Sequence, residues 1–174
     1  MSAFETGGDP QGAIRVIRLL SLAGARCGEI LELKWSEIDF ERGFLRLDAT
    51  KSGKSIRPIS GPAQRLLAEA PRAHPVWVFP NAKGTAPYEG LPKIWREVRA
   101  AAGLDDFRMH DLRHSFASFG AANGLSLPII GALLCHKNIS TTQRYAHLTD
   151  MAARQAANDV SDMVAAALGV RPCR

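Results

Sequence analysis

The spacing of apolar residues changes twice along this chain, and the change restricts the folds open to it. From Pro10 onward Ile14, Ile17 and Leu20 recur at helical spacing, Arg15 and Arg18 point away from them, and Gly24 ends the run. A second short helix is expected over 28–35, with Ile30, Leu31 and Leu33 apolar. The period then shortens to two. Phe44-Leu45-Arg46-Leu47-Asp48 and Ser55-Ile56-Arg57-Pro58-Ile59 read as strands joined by the turn-like TKSGK. A helix over 62–70 and a third strand at Val76-Trp77-Val78-Phe79 follow. After Leu91 the helical period returns in three stripes: Leu91, Ile94, Trp95 and Val98, then Leu112, Phe116 and Phe119, then Ile129, Ile130, Leu133 and Leu134. Ser140-Thr141-Thr142-Gln143 has the form of a capping box, which predicts a helix beginning at Ser140 with Tyr145 on its first turns. The Ala-rich stretch 151–168 closes the pattern with Val160, Met163, Val164 and Leu168. The expected fold class is therefore mainly α with a small antiparallel β-sheet (α+β).

A chain of 174 residues with 46% hydrophobic content can bury a real core as one domain, expected over 10–174 behind a flexible lead-in at 1–9. The 22 basic and 17 acidic side chains give a net charge of +5, and the pI is near 9.4. That balance favours an anionic partner, of which nucleic acid is the commonest. The cysteines, Cys27, Cys135 and Cys173, are odd in number and form no CxxC pair, which fits a reducing, cytoplasmic setting. MSAFETGGDP has neither the basic nor the apolar region of a signal peptide, and no apolar run reaches the ~18 residues of a membrane span.

Several short stretches carry side chains suited to phosphate chemistry. In HDLRHSF, residues 110–116, His110 and Arg113 lie three apart, so that helical backbone makes them neighbours. An arginine fork beside a histidine can clamp phosphate oxygens and move a proton near neutral pH. In GARCGEILELKW, residues 24–35, Arg26 stands at a helix start with Glu29 three residues on to hold its guanidinium. TKSGKS, residues 50–55, places Lys51 and Lys54 at a hairpin tip, where a lysine can touch phosphate or donate a proton. Finally, His136 precedes Tyr145, one of only two tyrosines, and Arg144 adjoins it. A tyrosine hydroxyl with a pKa of about 10 is a poor nucleophile unless cations and donors stabilise the developing charge. Taken singly, each stretch is also what a solvated ion pair, a surface turn or a partly buried tyrosine would look like.

The order of these stretches is more specific than any one of them. GARCGEILELKW, TKSGKSIRPIS, HDLRHSFAS and LLCHKNISTTQRYAH, spread from about Gln11 to His147, resemble in sequence the first arginine box, the hairpin lysine box, the His-x-x-Arg box and the closing His-and-Tyr box of the tyrosine recombinases, the phage integrase family. The resemblance implies strand cleavage and rejoining of double-stranded DNA without a metal or other cofactor. Tyr145 would attack the scissile phosphate, form a 3′-phosphotyrosyl link and release a 5′-hydroxyl. Arg26 and Arg113 would hold the non-bridging oxygens, Lys51 would protonate the leaving oxygen, His110 would assist proton transfer at the tyrosine, and His136 would donate to the phosphate. Glu29 would support Arg26, Asp111 would have a lesser structural part, and Lys54 and Arg144 would contact DNA. Lys54 rivals Lys51 as the acid, and only the alignment with the family box favours Lys51.

Two departures stand out. Cys135 occupies a position where the family usually has glycine. Family members also carry a separate helical core-binding domain ahead of the catalytic one, whereas this chain begins almost at the catalytic domain, so weak and salt-sensitive DNA binding is expected. The resemblance implies a homotetramer on DNA for the longer protein and a monomer without DNA, with the segment 151–168 docking either on a neighbour or on its own domain. The competing readings are a relaxing type IB topoisomerase using the same tyrosine chemistry, a DNA-binding module of the same fold without recombination activity, and a metal-dependent phosphodiesterase using His110, Asp111 and His136.

Overall fold

The computed structural model describes residues 10–50, 53–136, 138–146, 148, 156–161 and 163–164. The chain divides into two compact units, Met1–Phe116 and Ala117–Arg174.

The first unit is built around helix α1, Pro10–Ala23, which packs against α2 (Cys27–Leu31), α3 (Gly61–Ala68) and α4 (Leu91–Ala101). The buried face of α1 is Ala13, Val16, Leu19, Leu20 and Ala23, at the spacing of a helix stripe. Ile14 and Ile17, expected on that face, lie at its margin and are half-buried. Gly24 takes the left-handed backbone (φ 57°) and its amide donates to the Leu20 carbonyl, so that the chain turns out of α1 directly into α2.

The sheet has three antiparallel strands in the order β1 (Ile38–Asp39), β2 (Phe44–Thr50), β3 (Gly53–Pro58). Leu45 pairs with Arg57, Arg46 with Ile56 and Leu47 with Ser55. Leu45 and Leu47 turn one face of β2 into the core, and Arg46 and Asp48 turn the other outward. The third strand is therefore Ile38–Asp39 and not the expected Val76–Phe79. The latter stretch makes only an isolated bridge, Trp77 to Lys34, while Val78 and Phe79 insert into the core. Its backbone binds the loop after α2 through the Trp35 amide to the Val76 carbonyl and the Val78 amide to the Leu33 carbonyl.

The second unit contains the C-terminal half of α5 (Asp111–Ala122), then α6 (Leu127–Leu133) and two 3₁₀ turns, Ile139–Thr141 and Gln143–Tyr145. Its buried residues, among those described, are Ala117, Ala121, Ile130, Gly131, Leu134, Thr142 and Tyr145. The stripe expectation fails at two places: Phe119 is 72% exposed and Ile129 is 51% exposed. Small alanines, rather than the phenylalanine, face inward on this part of α5. Residues 156–161, 163 and 164 are helical, with Val160, Met163 and Val164 exposed. Mainly helical structure with one small antiparallel sheet agrees with the fold class expected from the sequence. Among the described residues no helix is long and apolar enough to cross a membrane.

Candidate active site

In the first unit the site grows from the junction between α1 and α2. Arg26 is the residue before α2, and Glu29 sits three positions on. Glu29 Oε2 accepts from the Arg26 amide at 2.9 Å, and Glu29 Oε1 accepts from Arg26 Nη1 at 2.7 Å. The carboxylate thus closes the first turn of α2 and aligns the arginine side chain at once. Its second partner was missed by sequence reasoning: Arg57 Nη2, from β3, donates to Glu29 Oε2 at 3.0 Å. Arg57 Nη1 donates to the Ala23 carbonyl at 3.3 Å, and Arg113 Nη1 donates to the Gly24 carbonyl at 2.6 Å. Arg57 therefore satisfies the last carbonyl of α1, and Arg113 that of Gly24 just past its end, where the helix dipole favours positive charge.

Three guanidiniums and one carboxylate meet at this junction, so that it carries excess positive charge. Arg57 is fully buried and Arg113 is 4% exposed, whereas the Arg26 side chain keeps 35% of its surface. Burial pushes the Glu29 pKa up, but the Arg26 amide, the Arg57 charge and the Arg26 guanidinium outweigh it, leaving Glu29 below its usual value and ionised.

His110 immediately precedes α5, and its carbonyl accepts from the Arg113 and His114 amides. The turn that carries it is braced by Asp111. Asp111 Oδ2 accepts from the Arg108 amide at 2.8 Å, and Oδ1 accepts from Arg108 Nη2 at 2.9 Å. These bonds hold the Asp111 carboxyl down to about 2. The imidazole of His110 meets that of His114 edge-on, with ring centroids 4.9 Å apart. His110 is exposed, yet partial loss of water, then the charge of Arg113, pull its pKa below the usual 6.5. At neutral pH it is therefore an uncharged base.

On the hairpin, Lys54 reaches Asp48 at 3.7 Å with both side chains largely exposed, a pair worth little to stability. Lys51 lies outside the described residues, so that the choice between the two lysines rests on sequence.

In the second unit α6 ends in a Schellman motif. The His136 amide donates to the Gly131 carbonyl at 2.9 Å and the Cys135 amide to the Ala132 carbonyl at 3.0 Å. That motif needs a left-handed residue at position 135, and Cys135 has φ 51°, the one positive φ outside glycine among the described residues. This is the physical reason that glycine was expected there. Cys135→Gly is expected to raise stability by about 0.5–1 kcal/mol by relieving the Cβ clash. A thermal unfolding midpoint that stays put or falls would show the thiol to be compensated by its packing.

The same motif delivers His136, whose Nδ1 lies 2.9 Å from Thr142 Oγ1. Thr142 is fully buried and packs on Gly131, where an added Cβ would come within 3.1 Å of its hydroxyl oxygen. Tyr145 is 5% exposed and ends the second 3₁₀ turn, with Arg144 exposed beside it. The expected capping box at Ser140 is not formed. The Ser140 amide instead donates to Asn138 Oδ1 at 3.0 Å, and two short 3₁₀ turns replace the predicted α-helical start. Thr142, read as part of that box, spends its hydroxyl on His136.

Among the described residues no group of His, Cys, Asp or Glu side chains is placed to hold a metal ion. The sequence pattern of the phage integrase family matches residues 5–151. The chain belongs to that family. The integrase of Salmonella phage P22 is 28% identical over 148 residues, covering 76% of this chain and 38% of that protein. The tyrosine recombinase XerA of Pyrococcus furiosus is 34% identical over 152 residues, covering 80% of this chain and 52% of that protein. This chain thus spans about half the length, or less, of the curated relatives it matches. The catalytic domain of bacteriophage HP1 integrase shares the fold with a TM-score of 0.62 at 23% identity, over 82% of this chain and 79% of that one. The XerH site-specific recombinase, bound to its difH substrate before cleavage, gives a TM-score of 0.65 at 25% identity, over 88% of this chain and 46% of that one.

Proposed function

We propose that this chain cleaves and rejoins double-stranded DNA as the catalytic part of a site-specific tyrosine recombinase. The observation that carries the reading is the junction of α1 and α2, where Arg26 is aligned by Glu29 and Arg113 is anchored to Gly24, within a chain of this family. Family membership and the DNA-bound state of the solved XerH neighbour support DNA as the partner.

In this reading a phosphodiester approaches the excess positive charge of the junction. Arg26 and Arg113 neutralise its non-bridging oxygens, most strongly as charge builds in the transition state. The Tyr145 oxygen attacks phosphorus as its proton passes to the neutral His110 imidazole. The P–O5′ bond breaks, and Lys51 gives the leaving oxygen a proton. The ester energy is kept in the 3′-phosphotyrosyl link, so that a second 5′-hydroxyl can reverse the step. A Thr142 hydroxyl that donates to His136 Nδ1 leaves the imidazole proton on Nε2, where it can be donated to the phosphate. Asp111 acts by bracing the turn that presents His110. Lys54 and Arg144 add phosphate contacts. Assembly as a homotetramer on DNA belongs to the same proposal, and the exposed Val160, Met163 and Val164 offer apolar surface for a neighbouring copy.

The test is covalent trapping: the protein is incubated in EDTA with a nicked duplex that loses its 5′-hydroxyl fragment after cleavage, and denaturing gels are read for a protein–DNA adduct. An adduct in EDTA supports the reading, whereas dependence on added metal sinks it. The pH profile gives a second check. Since His110 must be uncharged to take the proton and its pKa is lowered, the rate is expected to fall only below about pH 6.5. His110→Asn should remove that acidic limb; a limb that survives assigns the titration to another group.

A further inference from the structure

We propose that Arg57 is a positioning residue for Arg26, acting through Glu29. The inference rests on the reading of Arg26 as a phosphate-holding side chain. Arginine is almost never fully buried without a partner, and Arg57 is 0% exposed. Its cross-strand neighbour is the apolar Leu45, and Leu47 lies on the same inner face, so that packing alone does not call for a guanidinium here. Stability does not call for one either, because buried ion pairs replaced by apolar groups of similar volume are often neutral or better.

What the guanidinium does is geometric. One hand, Nη1, holds the Ala23 carbonyl at the end of α1, and the other, Nη2, holds Glu29 Oε2. Glu29 then offers its remaining oxygen, Oε1, to Arg26 Nη1 at 2.7 Å. Without Arg57 the Oε2 atom would keep the Arg26 amide, but the carboxylate could swing about its terminal torsion. Its whole charge would also fall on Arg26, weakening the potential that a phosphate meets. With Arg57 present, Glu29 is shared, and Arg26 is fixed in direction while keeping much of its field.

The test compares wild type with R57M, R57K, E29Q and the R57M/E29Q double variant, each shown folded by circular dichroism. Single-turnover adduct formation at saturating nicked DNA is measured beside DNA affinity. R57M is expected to slow cleavage about 100-fold, as a misplaced group does, while leaving the dissociation constant within about threefold. R57K, with one ammonium in place of a two-handed fork, is expected to recover about tenfold of that loss. In the E29Q background R57M should cost little more, because the route through Glu29 is already cut. In parallel, ¹⁵N–¹H guanidinium spectra report Arg26 directly: its restricted Nη signals should collapse in R57M and persist, broadened, in R57K. Should R57M not fold, R57K carries the test with an expected loss of about tenfold. Wild-type rates and Arg26 signals in both variants, or a full additive loss in the double variant, would overturn the proposal. If wild type forms no adduct on any substrate, the recombinase reading fails, and the Arg26 spectra alone still decide whether Arg57 positions it.

Discussion

Tyr145→Phe is expected to abolish the covalent protein–DNA adduct while leaving the protein folded and bound to DNA. The change removes one oxygen from a ring that is 5% exposed, so that the packing of the second unit is kept. If that oxygen is the nucleophile, no other group in the proposed mechanism can replace it, and adduct formation falls by at least about 10⁴-fold. The dissociation constant for DNA should move by less than about threefold, because in the proposed mechanism arginines, and not the phenol, hold the phosphate. Tyr88, the other tyrosine, is equally buried, and Tyr88→Phe serves as the matched control with wild-type adduct yield. An adduct that persists in Tyr145→Phe and disappears in Tyr88→Phe would move the nucleophile and dismantle the assignment of roles.

The largest effect on stability is expected from Glu29→Ala. It removes the carboxylate that Arg57 and Arg26 share, and breaking a buried ion pair costs about 3–5 kcal/mol. For a chain of this size that lowers the unfolding midpoint by about 6–20 °C. Lys54→Ala is the internal comparison. Its pair with Asp48 is 3.7 Å long and largely exposed, so its loss should stay within about 0.5 kcal/mol. The Glu29 term also has a pH signature. The folded state holds this carboxyl below its usual 4.5, so its stabilising share is complete above that value and is lost as pH falls through the lower folded value. Glu29→Gln should flatten that part of the acid limb. A Glu29→Ala midpoint close to wild type would mean that solvent reaches Arg57 when its partner is removed.

The sequence made the ends of this molecule's logic visible and hid its middle. The switch of period at Phe44 and its return at Leu91 were enough for the hairpin and the helices around it, since both depend on local alternation. The boxes around Arg26, His110, Arg113, His136 and Tyr145 were legible because each has a fixed local spacing. Arg57 was not. In Ser55–Ile59 both faces of the strand carry an isoleucine, and the inward face is decided by Glu29, 28 positions earlier in the chain. Thr142 was hidden for a related reason: a Ser-Thr-Thr-Gln run predicts a local cap, and the hydroxyl was claimed instead by His136. The stretch Val76–Phe79 is apolar enough for a strand, yet only Val78 and Phe79 enter the core, Val76 is exposed, and its one sheet-like pairing is the bridge from Trp77 to Lys34. In the sequence alone Cys135 is a departure without a cause, and its φ of 51° supplies one.

The inverted pairing on β3 has a consequence for how the hairpin folds. Ile56 is 62% exposed opposite Arg46, while Arg57 is sealed beneath it opposite Leu45. A slip of one residue would exchange their faces, burying the isoleucine and freeing the arginine. The same slip turns outward Ile59, which is 6% exposed in the native alignment, so hydrophobicity alone barely separates the two hairpins, and both form from contacts close in sequence. What favours the native alignment is that Ala23 and Glu29, from α1 and α2, receive the guanidinium. The hairpin is therefore expected to search between two alignments early in folding and to commit late, once the helical junction exists to choose between them.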